Sequence, residues 1–187
     1  VSNDQRQAIY SLRNQLLEES DISDTIAGLI EEKFQNVSST YIPFESIESQ
    51  WKAKDLEEHL EETYQIKLHI AEQIVNDKKL LPNTIALKVI ESAEKEYKKK
   101  YELLGKNRLL LEKQVMLQVL DVHWKEHLAE IDHLRNSVGL RAYAQKNPKN
   151  EFKREAYSMF ESMLEEIDSE TIRILFSLQI SSDQDMG

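Results

Sequence analysis

The chain has 187 residues, 40% apolar and 31% charged, enough for one or two modest domains with a hydrophobic core and too apolar for wholesale disorder. Four Gly and three Pro are too few for the turns of an all-β protein, and the absence of Cys removes disulfides, thiolate zinc sites and Cys nucleophiles while fitting a reducing compartment. A net charge of −10 argues against general nucleic-acid binding, no apolar run approaches the ~20 residues of a membrane span, and no signal-peptide pattern opens the chain.

The charge is unevenly spread. Residues 1–104 carry 13 Lys/Arg against 20 Asp/Glu, and residues 105–187 carry 11 against 14. Within the second part, Arg135, Arg141, Lys146, Lys149, Lys153 and Arg154 face one acid, Glu151. This basic stretch in an acidic chain is the first candidate for function.

Taken in order, Ile9, Leu12 and Leu16 keep helical spacing over residues 1–19. The chain therefore opens within a helical pattern and is expected to be a piece of something larger. Ser20–Asp24 breaks that helix and supplies capping side chains for another, whose apolar face is Ile22, Ile26, Leu29, Ile30 and Phe34. Ser38–Pro43 is expected to be a loop, since Pro43 forbids helical continuation. Ile47 and Trp51 suggest a short helix, and Leu56, Leu60 and Tyr64 a second. Tyr64–Leu68 alternates like a strand but has no partner, so it reads as extended loop. Ile70, Ile74 and Val75 form one more short helix. After Leu81-Pro82, Asn83 is the expected N-cap of a longer helix burying Ile85, Val89, Ala93 and Tyr97. Its other face pairs Glu91 with Lys95, Glu94 with Lys98 and Glu96 with Lys100 at i,i+4, and Lys98–Lys100 reads as that solvated face near the helix end.

The last third carries the clearest pattern. Leu117, Leu120, Trp124, Leu128, Ile131, Leu134 and Val138 form one helical line; Phe152, Ala156, Met159, Met163, Ile167, Ile174 and Leu178 form another. Between them, Gly139 is the expected helix stop, and Asn147-Pro148 a cap followed by proline at the first helical position. Two such helices joined by a short loop fold back antiparallel, with arms roughly 35–45 Å long. The whole is expected to be all-α: a small helical domain plus a long hairpin with a basic tip.

Few motifs carry chemistry. His123-Trp-Lys-Glu126-His127 matches the H-x-x-E-H pattern, in which two histidines one turn apart hold zinc and the Glu is general base. The competing reading is structural, because Trp124 and Leu128 place this face against a core and His133 lies about 15 Å further along the helix. Glycine-rich phosphate loops and nucleophile elbows are absent from the sequence, and the adjacent acids Glu57-Glu58, Glu61-Glu62 and Glu165-Glu166 read as solvated charge. Tyr143, between the long helices, either packs back on the hairpin or offers an amphipathic contact to a partner. No catalytic residue, cofactor site or metal site is assigned within the chain.

Val115–Asp121, Trp124–Leu128, Leu134-Arg135, Leu140–Pro148, Glu151–Glu155 and Ser158–Phe160 together resemble the SecA family, the motor ATPases of bacterial preprotein export. Asn3–Tyr10 is similar to the family's long scaffold helix, and Tyr41-Ile-Pro43 with Trp51 to its wing. The resemblance implies that residues 1–20 end the scaffold helix, 21–104 form the helical wing domain, 105–180 form the scaffold's two-helix finger, and 181–187 are a disordered tail. It also implies that the finger restrains ATP hydrolysis, that its tip enters the mouth of the SecY channel, and that the tip tyrosine touches the moving polypeptide. That tyrosine corresponds to Tyr143, with Arg141, Gln145 and Lys146 beside it. By the same resemblance, ATP and Mg belong to motor domains absent from this chain, and the partners are those domains, the SecY complex and unfolded preprotein. Nucleic acid is not expected. The location implied is the bacterial cytoplasm and the cytoplasmic face of the inner membrane, with membrane contact only peripheral. The alternative is a stand-alone helical adaptor docking through the basic tip.

Overall fold

A computed structural model describes residues 2–141 and 147–180, with the backbone alone at Arg141. The described residues hold seven α-helices and no strand. They are α1 (Ser2–Glu18), α2 (Ser23–Tyr41), α3 (Ala53–Tyr64), α4 (Ile70–Asn76), α5 (Pro82–Tyr101), α6 (Asn107–Arg141) and α7 (Pro148–Ser177). The described residues fall into two compact units, those within 2–22 and 113–171 and those within 23–112 and 172–180.

In the second unit α2 packs along α5, burying Ile26, Ile30 and Phe34 with Ile85, Val89 and Ala93. Phe176, near the end of α7, sits among Phe34, Tyr64 and Tyr97 with ring centroids 5.1, 5.9 and 5.5 Å away. Edge-on geometry with Phe34 and Tyr64 suits the ring quadrupoles. The last carbonyls of α7 have no intrahelical donors, and α5 supplies them. Lys100 Nζ donates to the carbonyls of Leu175 (3.2 Å) and Phe176 (2.8 Å), and the Tyr101 hydroxyl donates to Leu175 as well. Burial raises the Tyr101 pKa, so this hydroxyl stays protonated and remains a donor. Buried Glu112 accepts from the Tyr97 hydroxyl at 2.5 Å and lies 3.5 Å from Arg108 Nε.

Several boundaries differ from the sequence expectation for local reasons. Helix α2 runs through Ser38 to Tyr41, because the Ser39 and Thr40 hydroxyls fold back onto the Asn36 carbonyl (3.1 and 2.8 Å) and Ser38 is buried. The Ile47–Trp51 helix is a single 3-10 turn, Glu48–Gln50, with Ile47 exposed. Leu81, not Asn83, occupies the N-cap of α5: Pro82 takes the first helical position and forces the residue before it to extended geometry. The 64–68 segment is a helix stop. Gln65 adopts left-handed geometry (φ 61°), with Gln65 N–H donating to the Glu61 carbonyl and Ile66 N–H to that of Leu60. Gly105, at φ 54°, makes the turn between α5 and α6. Gly139 does not stop α6, which continues to Arg141. Toward its end α7 buries Ile172, Leu175 and Phe176 rather than the Ile174–Leu178 line.

Candidate functional site: the helical hairpin

The first unit is built from α1 and the long stretches of α6 and α7. Ile9 and Leu16 of α1, Val119, Leu120 and Trp124 of α6, and Met163 and Ile167 of α7 are its buried apolar residues at this level. Cross-contacts fix the directions. Arg135 lies over the Phe152 ring (5.6 Å), His127 meets Phe160 (5.8 Å), and His123 meets Glu166 (3.8 Å). Residue numbers fall along α6 as they rise along α7, so the two helices are antiparallel. Helix α1 likewise runs against α6: Arg13 grips Asp121 with two bonds (2.9 and 3.3 Å), and Lys113 Nζ donates to the Leu17 carbonyl (3.1 Å).

One buried polar side chain closes this three-helix contact. Gln5 is 7% exposed; its Nε2 donates to the Ala156 carbonyl of α7 (3.1 Å), and its Oε1 accepts from His127 Nε2 of α6 (2.7 Å). The geometry fixes His127 as the Nε2–H tautomer and leaves Nδ1 an acceptor, which has no partner among the described residues. Burial lowers the His127 pKa, and the nearby Glu130 carboxylate offsets that only in part. The H-x-x-E-H histidines thus point to different tasks. His127 turns inward to Gln5 and stacks on Trp124, while His123 bonds Glu170. No group of three or more His, Asp or Glu side chains placed to hold a metal occurs among the described residues.

Beyond this joint the hairpin pairs with itself. Ile131, Leu134, Val138 and Ala156 form a closed apolar cluster, covered by Phe152 and Met159. From His127 to Arg141 is 14 residues, about 21 Å of helix. At the far end Pro148 begins α7, and Asn147 Oδ1 accepts from the Asn150 N–H at 3.4 Å. Lys149, Lys153 and Arg154 are exposed there, as are Leu140 (77%) and, one turn of α7 further in, Tyr157 (61%). Glu151, the lone acid of the stretch, sits 3.8 Å from Arg154. Of the residues singled out from the sequence, Tyr143, Gln145 and Lys146 lie outside the described residues, as does the Arg141 side chain; residues 181–187 do too. The distal end is therefore a basic, partly apolar surface on a two-helix stem. Such a surface can contact varied sequences through rings and alkyl stems while attracting acidic groups.

The family model described as "SecA Wing and Scaffold domain" matches residues 1–179. The chain belongs to the SecA wing and scaffold family. It is also 42% identical, over all 187 residues, to the protein translocase subunit SecA of Dechloromonas aromatica (strain RCB). It spans 21% of that relative, about a fifth of its length. No helix of the described residues is long and apolar enough to cross a membrane.

Neither Gln5 nor Phe176 lies on the apolar lines that the sequence predicts. Gln5 shares a face with Ile9 and Leu16, at i+4 and i+11, and a lone polar residue on an apolar stripe was the available signal. Phe176 fell off the assumed line of α7 because the helix changes its buried face near Thr171, where a second set of neighbours begins.

Proposed function

We propose that the chain is the wing and scaffold portion of a SecA-type protein translocase and performs no catalysis by itself. The family match over residues 1–179 carries this reading. Residues 1–20 end the long scaffold helix, 21–104 form the wing and 105–180 the two-helix finger. ATP and Mg are handled elsewhere in the longer protein, and the hairpin couples those nucleotide-driven movements to a polypeptide in the SecY channel. It also restrains ATP hydrolysis. The protein works in the cytoplasm and at the cytoplasmic face of the membrane.

The tip does the contacting. Tyr143 touches the polypeptide, with Arg141, Gln145 and Lys146 meeting it or the channel mouth. What supports this is the stem: an apolar cluster that excludes water and holds α6 against α7, carrying exposed cations and apolar side chains at its end. A tyrosine ring suits a moving and varied partner because its contact needs no particular side chain. The test is Tyr143→Ala in the intact protein. Translocation is expected to fall by about tenfold or more with nucleotide affinity held within about twofold, the signature of lost coupling rather than lost binding. Equal loss of both would sink the reading. If the hairpin is instead an adaptor docking by charge, a pull-down by the chain alone will weaken steeply with salt.

A further inference from the structure

The inward face of α1 is a stripe of aliphatic side chains with one polar residue at its head. Ile9 and Leu16 are buried and Leu12 is half-buried, spaced about one turn apart, and Gln5 stands one turn before them. Aliphatic groups that recur every turn attract without direction. A helix displaced by one turn sets leucine where isoleucine stood, so burial holds α1 to the hairpin without fixing its position along it.

The outer polar contacts of α1 fix that position weakly. Arg13 and Asp121 are 41% and 50% exposed, and Lys113 reaches the Leu17 carbonyl at an exposed site. Long, solvated side chains follow a small displacement at little cost. Gln5 is different. Its Nε2 donates to the Ala156 carbonyl (3.1 Å) and its Oε1 accepts from His127 Nε2 (2.7 Å), with all three residues buried. A displacement of one turn, about 5 Å, breaks both bonds. Ile9 brought to the same place offers no acceptor and leaves the His127 N–H bare. Two such bonds favour the observed register over a neighbouring one by about twenty-five-fold. A single buried polar side chain is well suited to setting register between helices whose other contacts are apolar.

We infer that Gln5 is the positioning residue that sets the register of α1 on the hairpin, so that movement delivered through α1 reaches the hairpin without slip. The coupling role rests on the proposed function, in which α1 ends the scaffold helix and the hairpin meets the polypeptide. The register does not depend on that reading.

The test uses the intact protein, with Gln5→Leu and Gln5→Leu/His127→Phe. The double change replaces both side chains by apolar groups and leaves no buried N–H bare, so it restores packing without restoring direction. Nitroxide labels at exposed Ser11 of α1 and Asn136 of α6 sit far apart along the helices, and a one-turn slip changes their separation by about 5 Å. The otherwise unchanged protein should give one narrow distance. The double variant should give a second population about 5 Å away, at least about tenfold more abundant than before. Hydrogen-exchange protection of α1 should recover in the double variant relative to Gln5→Leu, while polypeptide moved per ATP hydrolysed stays down by about threefold or more.

A single narrow distance in the double variant would overturn the register assignment. Recovery of coupling together with protection would overturn it too, by reducing Gln5 to a packing contact. A displaced population with unchanged translocation per ATP would overturn the coupling role. If Tyr143→Ala leaves translocation intact while the second distance appears, the tip reading fails and the register assignment stands.

Discussion

Replacing Gln5 by Ala tests the three-helix joint most sharply. Gln5 makes two buried hydrogen bonds, to His127 of α6 and Ala156 of α7. Each contributes about 1 kcal/mol net, and leaving the His127 N–H unsatisfied costs about 1–3 kcal/mol. His127 Nδ1 has no other partner, so the ring would lose its only hydrogen bond among the described residues. Losing the Ala156 bond and leaving the His127 N–H unsatisfied together cost about 2–4 kcal/mol, or roughly 5–15 °C in the unfolding midpoint of a chain this size. Two compact units need not melt as one, so hydrogen exchange is the better assay. Peptides of α1 and of residues 152–163 should lose protection by the full amount, while those of 85–97 should not change. A double-mutant cycle with His127→Phe should give a coupling of about 1 kcal/mol or more. If Gln5→Ala costs less than about 1 kcal/mol, or costs the same with and without His127, the joint is not what holds α1 to the hairpin.

Two further outcomes follow from the packing. Because burial lowers the folded-state pKa of His127 below the ordinary 6.5, the unfolded chain binds the extra proton between those values. This part of the first unit's stability is therefore complete above pH 6.5 and is lost as pH falls toward and through the folded value. Hydrogen exchange across that range should show the loss in the natural chain and not in His127→Gln. Phe176→Ala empties the space between Phe34, Tyr64 and Tyr97 and should destabilise the second unit by about 3–5 kcal/mol, read by urea unfolding; a loss under about 1 kcal/mol would mean the ring is not a core residue.

Much of this was legible in the residues. Of the predicted lines, Leu120, Trp124, Ile131, Leu134 and Val138 of α6 and Ala156, Met163 and Ile167 of α7 are buried, with Leu117, Leu128, Phe152 and Met159 half-buried beside them, because a 3.6-residue period leaves few other ways to hide them. Asn147-Pro148 starts α7 as its cap chemistry requires. What failed was local punctuation. Gly139 merely permits a stop, and nothing at that position demands left-handed geometry, so α6 passes through it. Asn83 has good capping chemistry, but the fixed φ of Pro82 sets the boundary first. The roles of His123 and His127 were hidden for another reason. Their partners, Glu170 and Gln5, are 47 and 122 residues away, and only tertiary packing brings them in. At the tip, charge and composition identify a surface but not its partner, and that step came from resemblance to a family.

The central claim is that the hairpin tip meets the translocating chain, and one measurement addresses it directly. A photo-crosslinking residue would replace Tyr143 in the intact protein, with a polypeptide stalled in the SecY channel. Adducts to that polypeptide or to the channel are the predicted result. Adducts confined to the protein's own domains would contradict it and reduce the hairpin to an internal brace.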